Sequence, residues 1–209
     1  MYRGLLLILC LAAIPLHAEQ WVSDDALQGC IEAARKSQGW STPAAFKTLR
    51  CHNKGVKSLE GLEQFSALTK LSLYKNRISS IDVTAFPALE HLNVAGNQIS
   101  AIQLSDLPNL QVAYVFHNQL TELSVRNCPG LRQLKGNNNQ LRSATFRGVN
   151  NLEKLYLFDN ELETLDMDDL SALRLLDVRH NPMPDDFYDY LDSIEGLTSL
   201  HDGHAEDWE

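Results

Sequence analysis

A chain of 209 residues, 44% hydrophobic and 22% charged, carries enough apolar material for a packed core, which excludes a disordered polymer. Its formal net charge of −9 repels polyanions, so nucleic acid is excluded as an expected partner. Residues 1–18 read MYRGLLLILCLAAIPLHA, with Arg3, an apolar run from Leu5 to Leu16 and the small residue Ala18. This is the pattern of a cleaved secretory signal, and the run falls short of the roughly 20 apolar residues that span a bilayer. Cys10 follows Leu9 and no small residue, which argues against a lipid-attachment cysteine. The expectation is an exported protein, periplasmic or secreted, without a membrane anchor once the signal is removed.

Residues 19–55 are expected to form a helical N-terminal cap and a first irregular coil. Ala26, Leu27, Cys30, Ile31 and Ala34 recur at helical spacing after Ser23, the expected N-cap. Leu49, Cys51 and Val56 are the expected inward residues of the coil that follows. Cys30 and Cys51 are the two cysteines of this cap. An exported compartment permits a disulfide between them, which is the expectation; two buried free thiols are the alternative.

From residue 56 to 183 the chain repeats. Asn76 returns as Asn97, Asn118, Asn139, Asn160 and Asn181, each 21 residues after the last. Leu68, Leu71, Leu73 and Ile78 return in the same step, for example as Leu89, Leu92, Val94 and Ile99. The L-x-L unit is a short strand with both leucines inward, and the asparagine sits where the chain turns away and backbone groups would otherwise be buried unpaired. A second apolar set, Ile81 and Val83, recurs as Ile102 and Leu104, then Leu123 and Val125, so that the return side of each coil is apolar as well. A third column runs Phe65, Phe86, Leu107, Cys128, Val149 and Leu170, where Cys128 reads as a small buried hydrophobe.

The pattern L-x-x-L-x-L-x-x-N-x-L resembles the leucine-rich-repeat family. The resemblance implies a right-handed solenoid of the α/β type. Its parallel β-sheet lies on the concave face, with extended or 3₁₀ segments on the convex face. A helix ahead of the repeats resembles, more loosely, the N-terminal cap of internalin-like bacterial proteins.

Residues 184–209 break the repeat after Pro182 and Pro184, and Phe187, Leu191 and Ile194 suggest a capping helix from about Asp185 to Glu195, followed by an acidic tail. His201, Asp202, His204 and Asp207 are metal-ligand types, but a solvated acidic tail is the expectation, and neither metal nor cofactor is predicted. No nucleophile elbow, zinc-helix motif or phosphate-binding glycine loop occurs, so the chain is expected not to be an enzyme.

In the repeat frame the outward strand residues fall into columns. One runs Ser72, Asn93, Tyr114, Lys135, Tyr156 and Asp177, and the next Tyr74, Ala95, Phe116, Asn137, Phe158 and Arg179. Tyr114 with Phe116, and Tyr156 with Phe158, flank the strand carrying Lys135, Gly136 and Asn137. The expectation is a slot with aromatic walls and a polar floor, rimmed by Lys70, Lys154, Arg179, Asp159 and Asp177. Gly136 replaces a leucine, so its strand is expected to lie closer to its neighbours or to dip inward. Exposed aromatic clusters typify interfaces. With Tyr74, this face is therefore the expected binding surface for a protein or peptide, the alternative being a carbohydrate or cell-wall ligand. The resemblance implies the same: leucine-rich-repeat proteins generally bind proteins on the concave strand face.

Overall fold

The computed structural model describes residues 20–203. Residues 1–18, expected to be a signal, and the tail residues His204 and Asp207 lie outside the described residues. Along the chain come α1 (Asp25–Gln38), β1 (Thr48–Arg50), β2 (Lys70–Ser72), β3 (His91–Asn93), β4 (Gln103–Ser105), β5 (Val112–Tyr114), β6 (Glu122–Arg126), β7 (Gln133–Lys135), β8 (Ser143–Arg147), β9 (Lys154–Tyr156), β10 (Leu175–Asp177), α2 (Asp185–Asp192) and β11 (Thr198–Leu200). The L-x-L units pair in parallel, each with the next coil, into an eight-stranded sheet ordered β1-β2-β3-β5-β7-β9-β10-β11. Leu71, Leu92, Ala113, Leu134, Leu155 and Leu176 stand in register across it, and all are buried.

The return side is more regular than the sequence suggests. Its first repeat forms a 3₁₀ turn over Val83–Ala85, but the next three pair into a second parallel sheet, β4-β6-β8. The reason is alternation: Leu123 and Val125, then Ala144 and Phe146, point inward while the residues between them face water. The core lies between the two sides as one continuous cluster, with Phe65, Phe86, Leu107, Cys128, Val149 and Leu170 stacked along it. Burial pushes the Cys128 thiol up from its ordinary pKa, in keeping with a packing role.

The asparagines close the turns between coils. Asn97 Oδ1 accepts from the Ile78 N–H at 3.1 Å, and its Nδ2 donates to the carbonyls of Leu73 and Val94 at 3.0 and 2.8 Å. The same bonds recur at Asn118, Asn160 and Asn181.

At the N-terminal end the cap is Asp24 and not Ser23. One Asp24 carboxylate oxygen accepts from the Ala26 and Leu27 N–H groups at 3.0 Å each, and the other from Lys57 and Ser58 at 2.8 and 3.2 Å. A serine hydroxyl has no second oxygen with which to tie the helix to the first coil. Burial works to raise the Asp24 pKa, but these four N–H bonds outweigh it and hold the carboxyl below its ordinary value. A disulfide joins Cys30 in α1 to Cys51 just after β1, with their Cα atoms 5.7 Å apart. Gly61 adopts φ +92°, and a Cβ there would lie 2.3 Å from the Trp21 carbonyl oxygen. Only glycine lets Trp21 settle edge-on against Phe46 and Phe65.

At the other end α2 stops at Asp192, three residues short of the expected Glu195. Ser193 caps it, Gly196 turns the chain with φ +80°, and the backbone re-enters the sheet as β11, a strand the sequence reading missed. Tyr188 seals this end by donating to the Asn181 carbonyl at 3.1 Å and stacking on His201 at 4.6 Å.

Candidate functional site

Among the described residues nothing forms a layer over one face of the eight-stranded sheet, and its middle carries the aromatic residues singled out above. Parallel pairing sets Tyr114, Lys135, Tyr156 and Asp177 side by side on β5, β7, β9 and β10. Pairing continues past the strand ends, with the His117 N–H on the Asn137 carbonyl at 3.1 Å and the Asp159 N–H on the Arg179 carbonyl at 3.0 Å. Phe116, Asn137, Phe158 and Arg179 therefore form a second row.

Between these rows lies a depression of about 300 Å³ lined by Phe116, Lys135, Asn137, Tyr156 and Phe158. Phe116 and Phe158 are its half-buried walls and the buried Asn137 its floor. The Lys135 ammonium lies over two rings at once, 5.4 Å from Tyr114 and 4.9 Å from Tyr156. This arrangement holds a long flexible side chain in one place.

The rings also pack on one another. Phe116 leans 6.2 Å from Tyr114 and 6.5 Å from Tyr74, which reaches it across β3 because the intervening residue is Ala95, fully buried. Tyr74 is thus part of the same aromatic row.

Two expectations are corrected. Asp177 is not a rim residue: it is 2% exposed, and its carboxylate holds the Arg179 guanidinium with two bonds of 2.9 and 2.8 Å, placing Arg179 over Phe158 at 5.7 Å. Its role here is to aim the arginine. Nor does the Gly136 strand dip. Methyls of Leu123 and Leu157 already occupy the place of its side chain, each 3.2 Å from an added Cβ, and the Gly136 N–H keeps its ladder bond to Tyr156 at 2.8 Å.

A column that sequence reasoning missed borders the site. Lys75, Gly96, His117, Asn138, Asp159 and His180, each just before a turn asparagine, all have φ between 52° and 69°. The column is chemically mixed because what recurs is a left-handed backbone, for which Gly and Asn are only the commonest choices. At its C-terminal end it becomes a polar chain: Asn138 donates to Asp159 at 2.7 Å, and Asp159 bonds His180 Nδ1 at 2.6 Å. The hydrogen bond to Asp159 and the nearby charge of Asp202 raise the His180 pKa.

A raised pKa means that this bond stabilises the folded state fully below about pH 6.5, and that its contribution is lost as pH rises through the folded value. Thermal melts should therefore separate wild type from His180→Asn at acid pH and bring the two together at alkaline pH.

Elsewhere, a groove of about 1060 Å³ runs between α1 and the free edge of β1, left by the small residues Ala26, Gly29, Ala33 and Ala34. His52 Nε2 lies 2.7 Å from Ser72 Oγ, but among the described residues no carboxylate orients that imidazole. Among the described residues no group of three His, Cys, Asp or Glu side chains is arranged to hold a metal ion, and no helix is long and apolar enough to cross a membrane.

Comparison with known proteins agrees with this architecture. The leucine rich repeat family matches residues 66–120 and 131–183, together more than half of the chain. No curated protein matches it by sequence. Among solved structures, an internalin (inlF) of Listeria monocytogenes strain 4b F2365 has TM-score 0.58 at 18% identity. The match covers 91% of this chain and 66% of that one. Internalin C2 of the same strain has TM-score 0.58 at 22% identity, over 87% and 94%. A chain of the LRIM1/APL1C complex has TM-score 0.56 at 23% identity, over 74% and 29%. At these identities the likeness is one of fold.

Proposed function

Since the chain belongs to the leucine-rich-repeat family, we propose that it is an exported, non-enzymatic protein that binds a protein or peptide partner on the open face of its eight-stranded sheet. The observation that carries this reading is the depression between Phe116 and Phe158, with Lys135 fixed between two tyrosines beside it. A rigid sheet presents these rings at low entropic cost, and aromatic anchors in partly desolvated surroundings dominate binding energy at protein interfaces. The leucine-rich-repeat fold is typical of protein interaction modules. Supporting export are the pattern of residues 1–18 and a disulfide, which oxidising compartments sustain.

The test pairs the mature wild type with Phe116→Ala/Phe158→Ala in affinity capture from an envelope extract, read by mass spectrometry and by glycan analysis. The double variant is expected to lose the partner, on the order of a hundredfold in affinity if each ring acts as an anchor, while keeping its fold by circular dichroism. A glycan that alone differs between the two captures would replace the protein partner with a carbohydrate. No difference in either readout would mean that the rings only pack on one another.

A further inference from the structure

Charge on the strand face is distributed unlike charge on the rest of the chain. The protein as a whole carries −9, yet Arg50, Lys70, Lys75, Lys135 and Lys154 all project from this face, and among the described residues none of them meets a carboxylate. Three acids at the C-terminal end of this face are engaged. Asp177 is buried against Arg179, Asp159 is bonded by His180 and Asn138, and Asp202 accepts from the His180 backbone N–H. Off this face arginines do find acids, as in Arg142 with Glu161 and Arg147 with Asp166. What the strand face offers a visitor is therefore positive charge without a counterpart, interrupted by aromatic rings.

We infer that the partner segment is an acidic peptide bearing an aromatic side chain, which lies across the strands with its ring between Phe116 and Phe158. This rests on the strand-face reading above and gives it a chemical class. Lys70 on β2 and Lys154 on β9 are four strand steps apart, roughly 19 Å at about 4.8 Å per step. An extended peptide covers that span with about six residues. Its carboxylates meet the lysines at either end while a ring fills the depression, whose walls are apolar and whose floor is the buried Asn137, its amide held by Asn138 at 2.7 Å. A basic or neutral segment would gain nothing from these cations, and a like charge placed over them would be repelled.

The experiment is selection from a phage-displayed random dodecapeptide library on the immobilised mature protein, followed by fluorescence anisotropy with the best synthetic peptide. The expected result is enrichment of Asp and Glu on both sides of a Phe, Tyr or Trp. Binding should weaken with added salt, and should weaken at least about tenfold in Lys70→Glu/Lys154→Glu, whose exposed side chains play no part in packing. Neutral or basic peptides, no selected peptide, or unchanged affinity in the lysine variant would overturn the acidic class. In those cases retained sensitivity to Phe116→Ala/Phe158→Ala would leave the strand-face reading standing, and loss of that sensitivity would remove both. Displacement of the peptide by a heparin oligosaccharide, tighter than the peptide and with the same lysine dependence, would replace the acidic peptide with an anionic glycan.

Discussion

Asn118→Ala is expected to cost about 4 kcal/mol of folding stability, far more than its size suggests. Asn118 Oδ1 accepts from the Ile99 N–H at 3.0 Å, and Nδ2 donates to the Val94 and Val115 carbonyls at 3.1 and 3.0 Å. Alanine leaves these backbone groups of two adjacent coils without that amide in a site water does not reach, since Ile99, Val94 and Val115 are all buried. The Ile99 N–H is left unsatisfied, which costs about 1–3 kcal/mol, while the Val94 and Val115 carbonyls keep the Asn97 and Asn139 amides at 2.8 and 3.2 Å but each lose one bond worth about 0.5–1.5 kcal/mol. Equilibrium denaturation in urea measures the loss, with exposed Gln119→Ala as the neighbouring control, expected within about 0.5 kcal/mol of wild type. Equal effects of the two substitutions would show that the amide contributes no more than a surface side chain.

The second large effect is expected from Cys30→Ser. The disulfide closes a span of 21 residues between α1 and the end of β1, and the chain-entropy relation gives about 3 kcal/mol for a loop of this size. For a chain of this length that corresponds to roughly 6–12 °C in melting temperature. The bond lies at the cap while the aromatic rows sit near the middle of the sheet, so peptide binding at low temperature should be unchanged. Melting with and without reductant provides the internal check: the difference between wild type and variant should vanish when the wild type is reduced. A variant that melts with the oxidised wild type would remove the bond's stabilising role.

Much of the architecture was legible because a solenoid states its geometry repeatedly. Leu71 alone says little, but Leu71, Leu92 and Leu155 at one phase fix which side of each strand faces inward. The failures have physical causes. β11 escaped notice because its register with β10, Thr198 opposite Leu175, departs from the repeat by two residues and its sequence is Thr-Ser-Leu. Ser23 and Asp24 are both good N-cap types, and the choice depended on Lys57 and Ser58, distant in sequence. At the binding face, columns predicted which residues stand together but not which way they lean. Asp177 occupies an outward position and is nevertheless buried, because Arg179, two residues on, folds back over it. The lean of Tyr74 toward Phe116 likewise depends on the absence of a large side chain at Ala95.

The asparagines give the stack a polarity. Each closes its own turn and the one before it: Asn97 completes the coil that ends at Ile78, Asn118 the coil that ends at Ile99, and Asn181 the coil that ends at Leu162. The turns at Ile78, Ile99, Leu120, Leu141 and Leu162 are each finished by an asparagine of the next coil. A chain emerging from its N-terminus therefore always carries one incomplete turn at its growing end, mended only when the next 21 residues arrive. In the finished molecule the N-terminal end is stapled by a disulfide, while the last coils rest on α2 and Tyr188, so opening under stress should proceed as a zip drawn from the C-terminus.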